Sequence, residues 1–172
     1  VVGRVTPGSA GAPFEAEYVL YDAIRGSQLL AERVAFKAAD ARRAAHRIAD
    51  RIYQQLTGER GVFATRITYV TASGSGKSRT YRLYVADADG QDAREVISSP
   101  EPLMSPAWSP DGKRIADVSF EEHAAAVFVQ DLATGGRRKV SATPGINGAP
   151  AWSPDGAMLA LTLSKDGNPD IY

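Results

Sequence analysis

The stretch Ala107-Trp108-Ser109-Pro110-Asp111-Gly112 returns as Ala151-Trp152-Ser153-Pro154-Asp155-Gly156, and this recurrence decides the fold. From 107 to 151 the shift is 44 residues, and the register holds outside the motif. Ile115-Ala116 maps onto Leu159-Ala160, and Val127-Phe128 onto Ile171-Tyr172. One more step of 44 back from Phe128 reaches Tyr84, inside Tyr81-Arg82-Leu83-Tyr84-Val85. Three aromatics therefore mark one position in three successive units. Pro-Asp-Gly is a turn for a physical reason: proline presets φ, aspartate bonds its own backbone, and glycine takes positive φ. Beyond it come an apolar strand (115–120), a loop, a second strand (126–132), a Gly135-Gly136 turn and residues 138–141. With an innermost strand at 106–109 this makes four strands per unit of about 44 residues, the length of a β-propeller blade.

The first unit departs from this pattern. Ile67–Val70 matches Ile115–Val118 at a shift of 48, while Tyr84 matches Phe128 at 44, so four extra residues lie within Thr71–Thr80. The segment 61–66 lacks the Trp-Ser-Pro-Asp-Gly strand, so this blade starts at its second strand and is expected to be completed by a strand from the far C-terminus. Tyr172 falls on the register of Phe128, in mid-strand, and Val1–Val5 begins within a strand. The chain is accordingly expected to be a piece of a longer protein, with about two and a half blades.

Residues 1–60 show no repeat. Phe14, Ala16, Tyr18 and Leu20 alternate along a strand, Arg25-Gly26-Ser27 turns the chain, and 28–36 returns as the hairpin partner. The period then changes to helical. Asp40 is the expected N-cap, Ala41, Ala45, Ile48, Ile52 and Leu56 form the apolar stripe, and the helix ends before Gly58. The fold class is therefore an α+β N-terminal domain at 1–60 followed by an all-β propeller from 61 to 172.

Composition bounds the function. The 172 residues carry 20 Lys+Arg against 20 Asp+Glu, so no global field attracts nucleic acid or an anionic membrane. The longest apolar run, 124–129, is strand-sized, far below a membrane span. Zero cysteines exclude disulfides and thiolate chemistry. Gly74-Ser75-Gly76-Lys77-Ser78 resembles the end of a phosphate-binding loop, but Thr71 stands where the motif needs glycine and a strand follows where a helix is required. It reads as a hairpin turn. Asp87-Ala88-Asp89-Gly90-Gln91-Asp92 hints at a calcium loop but coincides in register with the Gly135-Gly136 turn. His46 and His123 are isolated, and no Gly-x-Ser-x-Gly elbow is present. Arg42, Arg43, Arg47 and Arg51 make a basic helix face that reads as solvated. Trp108 and Trp152 read as packing residues, and Asp117 is a charge at a position where the other units have Tyr69 and Leu161.

The Ala-Trp-Ser-Pro-Asp-Gly units, preceded by Leu103-Met104-Ser105-Pro106 and Asn147-Gly148-Ala149-Pro150, resemble the TolB family of the Tol–Pal envelope system. Tyr21-Asp22 with Gly26, Gln55-Leu56-Thr57-Gly58 and Arg66-Ile67 agree with it, so the resemblance covers essentially the whole chain. It implies a periplasmic, non-enzymatic adaptor without cofactor or metal. Such a protein pairs an α/β domain with a six-bladed propeller, binds the lipoprotein Pal through the propeller and engages TolA through its N-terminal region. It supports outer-membrane integrity and constriction at division, and some bacteriocins exploit it. It neither binds nucleic acid nor inserts into the membrane. The connections into the innermost strands then become the partner-binding face, here Met104, Ser105, Ile146, Asn147, Gly148 and Ala149. The family commonly has His where this chain has Ile146. Two other readings stay open on the repeat alone: the propeller of a prolyl-oligopeptidase-like peptidase, and a ligand- or glycan-binding propeller.

Overall fold

The structure, a computed structural model, describes residues 1–7 and 13–172. The chain forms two compact units, Val1–Thr65 with Asp87–Asp89, and Arg66–Ala86 with Gly90–Tyr172.

In the first unit, β1 (Val2–Thr6), β2 (Phe14–Asp22) and β3 (Ser27–Phe36) form an antiparallel sheet in that order. Ala16, Tyr18 and Leu20 are its buried face, as their alternation requires. Helix α1 (Ala41–Thr57) packs on β3. Two helix details differ from expectation. A short 3-10 turn (Ala38–Asp40) precedes α1, and Asp40 makes no side-chain cap; its carboxylate meets Arg43 instead, at 3.3 Å. The buried residue of the helix is Ala44, whereas Ala41, Ala45 and Leu56 are exposed. Alanines at 41, 44 and 45 satisfy several helical stripes at once, and tertiary packing selects among them. Gly58 ends the helix in the left-handed conformation at φ 79°, its amide donating to Gln54 O. The unit runs on to Thr65 because Asp50 holds the returning chain, accepting from the amides of Phe63 (2.7 Å) and Ala64 (3.1 Å).

The second unit is a partial propeller. Strands β4 (Arg66–Ser73), β5 (Thr80–Asp87) and β6 (Arg94–Ser99) form one three-stranded sheet. The β4–β5 hairpin carries the extra residues, with a 3-10 turn at Gly76–Ser78 in the place of the phosphate-loop lookalike. Strands β7 (Leu103–Trp108), β8 (Arg114–Ser119), β9 (Ala126–Asp131) and β10 (Arg137–Ser141) make a complete four-stranded blade. A third sheet holds β11 (Asn147–Trp152), β12 (Leu159–Leu163) and β13 (Asp170–Ile171). Leu83, Val85, Leu103 and Ile115 are the buried cluster between the first two blades, with Trp108 packed against it.

Each Trp-Ser-Pro-Asp-Gly turn closes in the same way. The Ser109 hydroxyl donates to Asp111 Oδ1 (2.6 Å) and accepts the Arg114 amide (2.9 Å). Ser153 repeats this with Asp155 (2.5 Å) and the Met158 amide (2.9 Å). These serine bonds, with the amides of Lys113 and Ala157, hold both aspartates below the ordinary carboxylate range.

Asp117 lies wholly buried in the second blade. Its Oδ2 accepts from Arg137 Nη2 at 2.8 Å, while Arg137 also binds Glu121 (2.6 Å) and lies 4.1 Å over the Phe128 ring. Asp117 Oδ1 and Arg137 Nε have no hydrogen-bond partner among the described residues. Burial pushes the Asp117 carboxyl up to about 6, against the pull of Arg137. Because the folded state holds this proton more tightly than the unfolded chain, the contribution of Asp117 to stability is greatest below the ordinary aspartate range. It declines as pH rises through that range towards 6. Arg137→Ala leaves the carboxylate buried without its cation, a loss of about 3–5 kcal/mol at pH 7. The loss shrinks at pH 4, where Asp117 is protonated, and urea melts of the full-length protein at the two pH values measure the difference.

Candidate partner-binding face on the innermost strands

The six residues expected at the partner face divide into three kinds. Met104 and Ser105 do not sit in a connection, as read from the sequence, but inside β7, which starts three residues earlier than the expected 106. Gly148 and Ala149 lie likewise inside β11, which begins at Asn147. Both strands contain a register shift, between Met104 and Ala107 and between Gly148 and Ala151. At each shift a non-glycine residue adopts positive φ: Ser105 at 50° and Ala149 at 45°. The two positions differ by 44, the repeat length. The bulge lets pairing with the next strand resume beyond it, so the strand continues where a loop was expected.

The bulges present side chains. Met104 is 51% and Ile146 49% exposed, and Ser105 and Ala149 are exposed beside them. Gly148 is half-buried. The two strands are neighbours, since the Trp152 indole on β11 donates to Ala107 O on β7 at 3.1 Å. Asn147 plays another part. It is 2% exposed, and its Oδ1 accepts from the Ser141 hydroxyl (2.7 Å) and the Thr143 amide (3.0 Å). Its Nδ2 donates to Thr143 O at 2.6 Å. The side chain is thus the buried clasp of the 141–147 connection, and Leu103 fills the same repeat position in the preceding blade. Next to the clasp, Ile146 is fixed by its amide, which donates to Ser164 Oγ at 2.7 Å.

Sequence reasoning missed the arginine that seats each tryptophan. Arg66 lies 4.8 Å over Trp108 and donates to Gly112 O (2.6 Å), and Arg114 lies 4.6 Å over Trp152 and donates to Gly156 O (3.0 Å). The signal was present as Arg66-Ile67 and Arg114-Ile115, at the shift of 48. The Trp108 indole N–H is buried and has no partner among the described residues; the three-stranded first sheet has no strand in the place that β7 occupies for Trp152.

Other candidate chemistry is accounted for elsewhere. Asp87 and Asp89 bind Arg42 at 2.6 and 2.7 Å, and Asp89 meets His46 Nε2 at 3.0 Å, so the calcium-loop lookalike is an ion-pair cluster. His123 is an exposed hairpin residue at φ 62°. No group of three metal-ligating side chains is found among the described residues. No described helix is long and apolar enough to cross a membrane.

Blades that close on a Ser–Asp turn, with an arginine-seated tryptophan and bulged inner strands, define a protein of the β-propeller class. The family model described as "TolB beta propeller domain" matches residues 53–172, and the chain belongs to the TolB family. It is 60% identical over 137 residues to the Tol-Pal system protein TolB of Methylococcus capsulatus, covering 80% of this chain and 32% of that protein. Identity to the protein of the same name from Xanthomonas campestris is 52% over 137 residues, covering 80% of this chain and 31% of that one. The crystal structure of TolB from Acinetobacter baumannii superposes with a TM-score of 0.89 at 42% identity, over 99% of this chain and 42% of that chain. The chain thus spans about a third of the length of the curated relatives it matches.

The clasp role of Asn147 makes a prediction. Asn147→Ala leaves the Thr143 amide and carbonyl without partners and costs about 1–3 kcal/mol. Met104→Ala, at an exposed position, is expected to stay within about 0.5 kcal/mol of the parent in the same denaturant melts.

Proposed function

We propose that this chain is part of a non-enzymatic periplasmic adaptor of the Tol–Pal system. In this reading the propeller docks the lipoprotein Pal, and the N-terminal region links to TolA. The assembly supports outer-membrane integrity and constriction at division. The docking surface comprises Met104, Ser105, Ile146 and Ala149, with Gly148 leaving room beside them. One observation carries the reading: two exposed apolar side chains stand beside left-handed bulges that repeat on neighbouring inner strands. Ser105 and Ala149 hold a backbone setting that is unfavourable for non-glycine residues, with Met104 and Ile146 exposed near them. A partner surface explains both the exposure and the strain. The names of the relatives support assignment to the Tol–Pal system. The departure at Ile146 makes that contact apolar, so Pal binding here leans on burial of Met104 and Ile146.

Calorimetric titration of the full-length protein against the soluble domain of its own Pal tests the proposal, and saturable one-to-one binding is expected. Met104→Ser combined with Ile146→Ser is expected to weaken it at least tenfold with the fold intact. Ala149→Val places a β-branched residue at φ 45° and crowds the partner. It is expected to weaken binding by a similar factor, at a stability cost of about 1–3 kcal/mol. Absence of binding by a folded parent, or unchanged affinity in the double variant, removes this face from the function.

A further inference from the structure

A basic cleft on helix α1 lies outside the Pal-docking surface described above. About 340 Å³ in volume, it is walled by Arg47, Arg51, Gln54 and Arg60 over a floor of Val34 and Asp50. We propose that this cleft is a second interaction site, which takes a short acidic polypeptide segment through two of that segment's carboxylates.

The cleft is held in shape by the return of the chain after α1. Thr57 Oγ1 donates to Tyr53 O (2.9 Å) and accepts the Glu59 amide (3.1 Å), so the turn at Gly58 is bonded on both sides. Gly61 then lies so close to the helix that a Cβ there would fall 2.5 Å from Asp50 Cα. Asp50 accepts the Phe63 and Ala64 amides, and the Phe63 ring meets Tyr53 edge-on at 5.9 Å between centroids. Arg60 is therefore carried on backbone anchored before and after it. The Asp50 carboxylate faces backbone donors and does not pair with the arginines.

Charge identifies the occupant. The first unit contains eight arginines at positions up to 60. Six of them, Arg4, Arg25, Arg33, Arg42, Arg43 and Arg51, have a carboxylate oxygen within 3.9 Å. Arg47 and Arg60 make no ion pair or hydrogen bond among the described residues, and both line this one cleft. The third wall, Arg51, is held rigid by Glu32 (2.6 Å) and Gln54 (2.9 Å). Two exposed guanidinium forks with no carboxylate partner among the described residues suit planar carboxylates, which they bind bidentately. The volume suits one or two side chains rather than a nucleic-acid duplex. The net charge of zero supplies no wider field for a polyanion or an anionic bilayer. Val34 and the arginine stems add apolar contact for the methylenes of glutamate.

The test uses the full-length protein and fluorescein-labelled hexaglutamate, followed by fluorescence anisotropy at low and physiological salt. Saturable binding is expected, with shifts of the Arg47 and Arg60 Nε–H resonances on titration. Arg47→Gln with Arg60→Gln is expected to weaken binding at least tenfold. Arg43→Gln, which removes one charge from the same helix outside the cleft, is expected to change it less than twofold. A thermal melt matching the parent shows that the double variant is folded. Pal affinity, unchanged in that variant, separates this site from the propeller face. No saturable hexaglutamate binding, or equal losses in the double variant and Arg43→Gln, overturns the proposal. So does stronger capture by phosphatidylglycerol vesicles that the double variant abolishes, since that assigns the cleft to lipid phosphate.

Discussion

An arginine set over a tryptophan ring while it binds the carbonyl of the next blade's Pro-Asp-Gly turn is the contact on which blade stacking depends. Arg66 does this for Trp108 and Gly112, and Arg114 for Trp152 and Gly156. The cation–π contact and the charge-assisted hydrogen bond share one guanidinium, so loss of the arginine removes both. The contact also sets the height of each inner strand against its neighbour. Trp152 seated this way reaches Ala107 O on β7 and ties together the two strands that carry the bulges. Stacking and surface presentation thus have a common cause.

The bulges show how a strained backbone is held in place by its neighbours. A non-glycine residue at positive φ is unfavourable alone, and it persists only where its surroundings over-determine it. At Ala149 the surroundings are the Asn147 clasp on one side and resumed pairing of Ala151 with Ala160 on the other. Asn147 is buried beneath the candidate face, and its hydrogen bonds help to fix the exposed neighbours.

The 44-residue recurrence made the blades, their turns and the extra hairpin residues legible, because each rests on local chemistry that a sequence displays. Pro-Asp-Gly carries its own turn geometry, and Tyr84, Phe128 and Tyr172 mark the register. Of the candidate face, the sequence points to the segments but not to the different structural parts their residues play. Ser and Ala have no signature for left-handed φ, so the extension of β7 and β11 through Ser105 and Ala149 was invisible. Asn147 and Leu103 occupy one repeat position, and only the fold shows that one clasps a connection while the other fills a core. The inward stripe of α1 was blurred by its alanines, which suit several faces equally. Arg66 and Arg114 stand in plain view before their isoleucines, yet stacking on a tryptophan of another strand is a long-range fact.

The way residues 61–64 lie against α1 bears on how this protein can be taken apart. Composition alone suggests a cut near residue 60, where the helix has ended and the repeats have not begun. A piece ending there keeps Asp50 and Tyr53 but loses the amides and the ring they hold. It also frees the chain on which Arg60 rides. A cut after Thr65 keeps this seam but still parts Arg42 from Asp87 and Asp89, and grafts that replace Gly61 with any larger residue will pry the seam open from within.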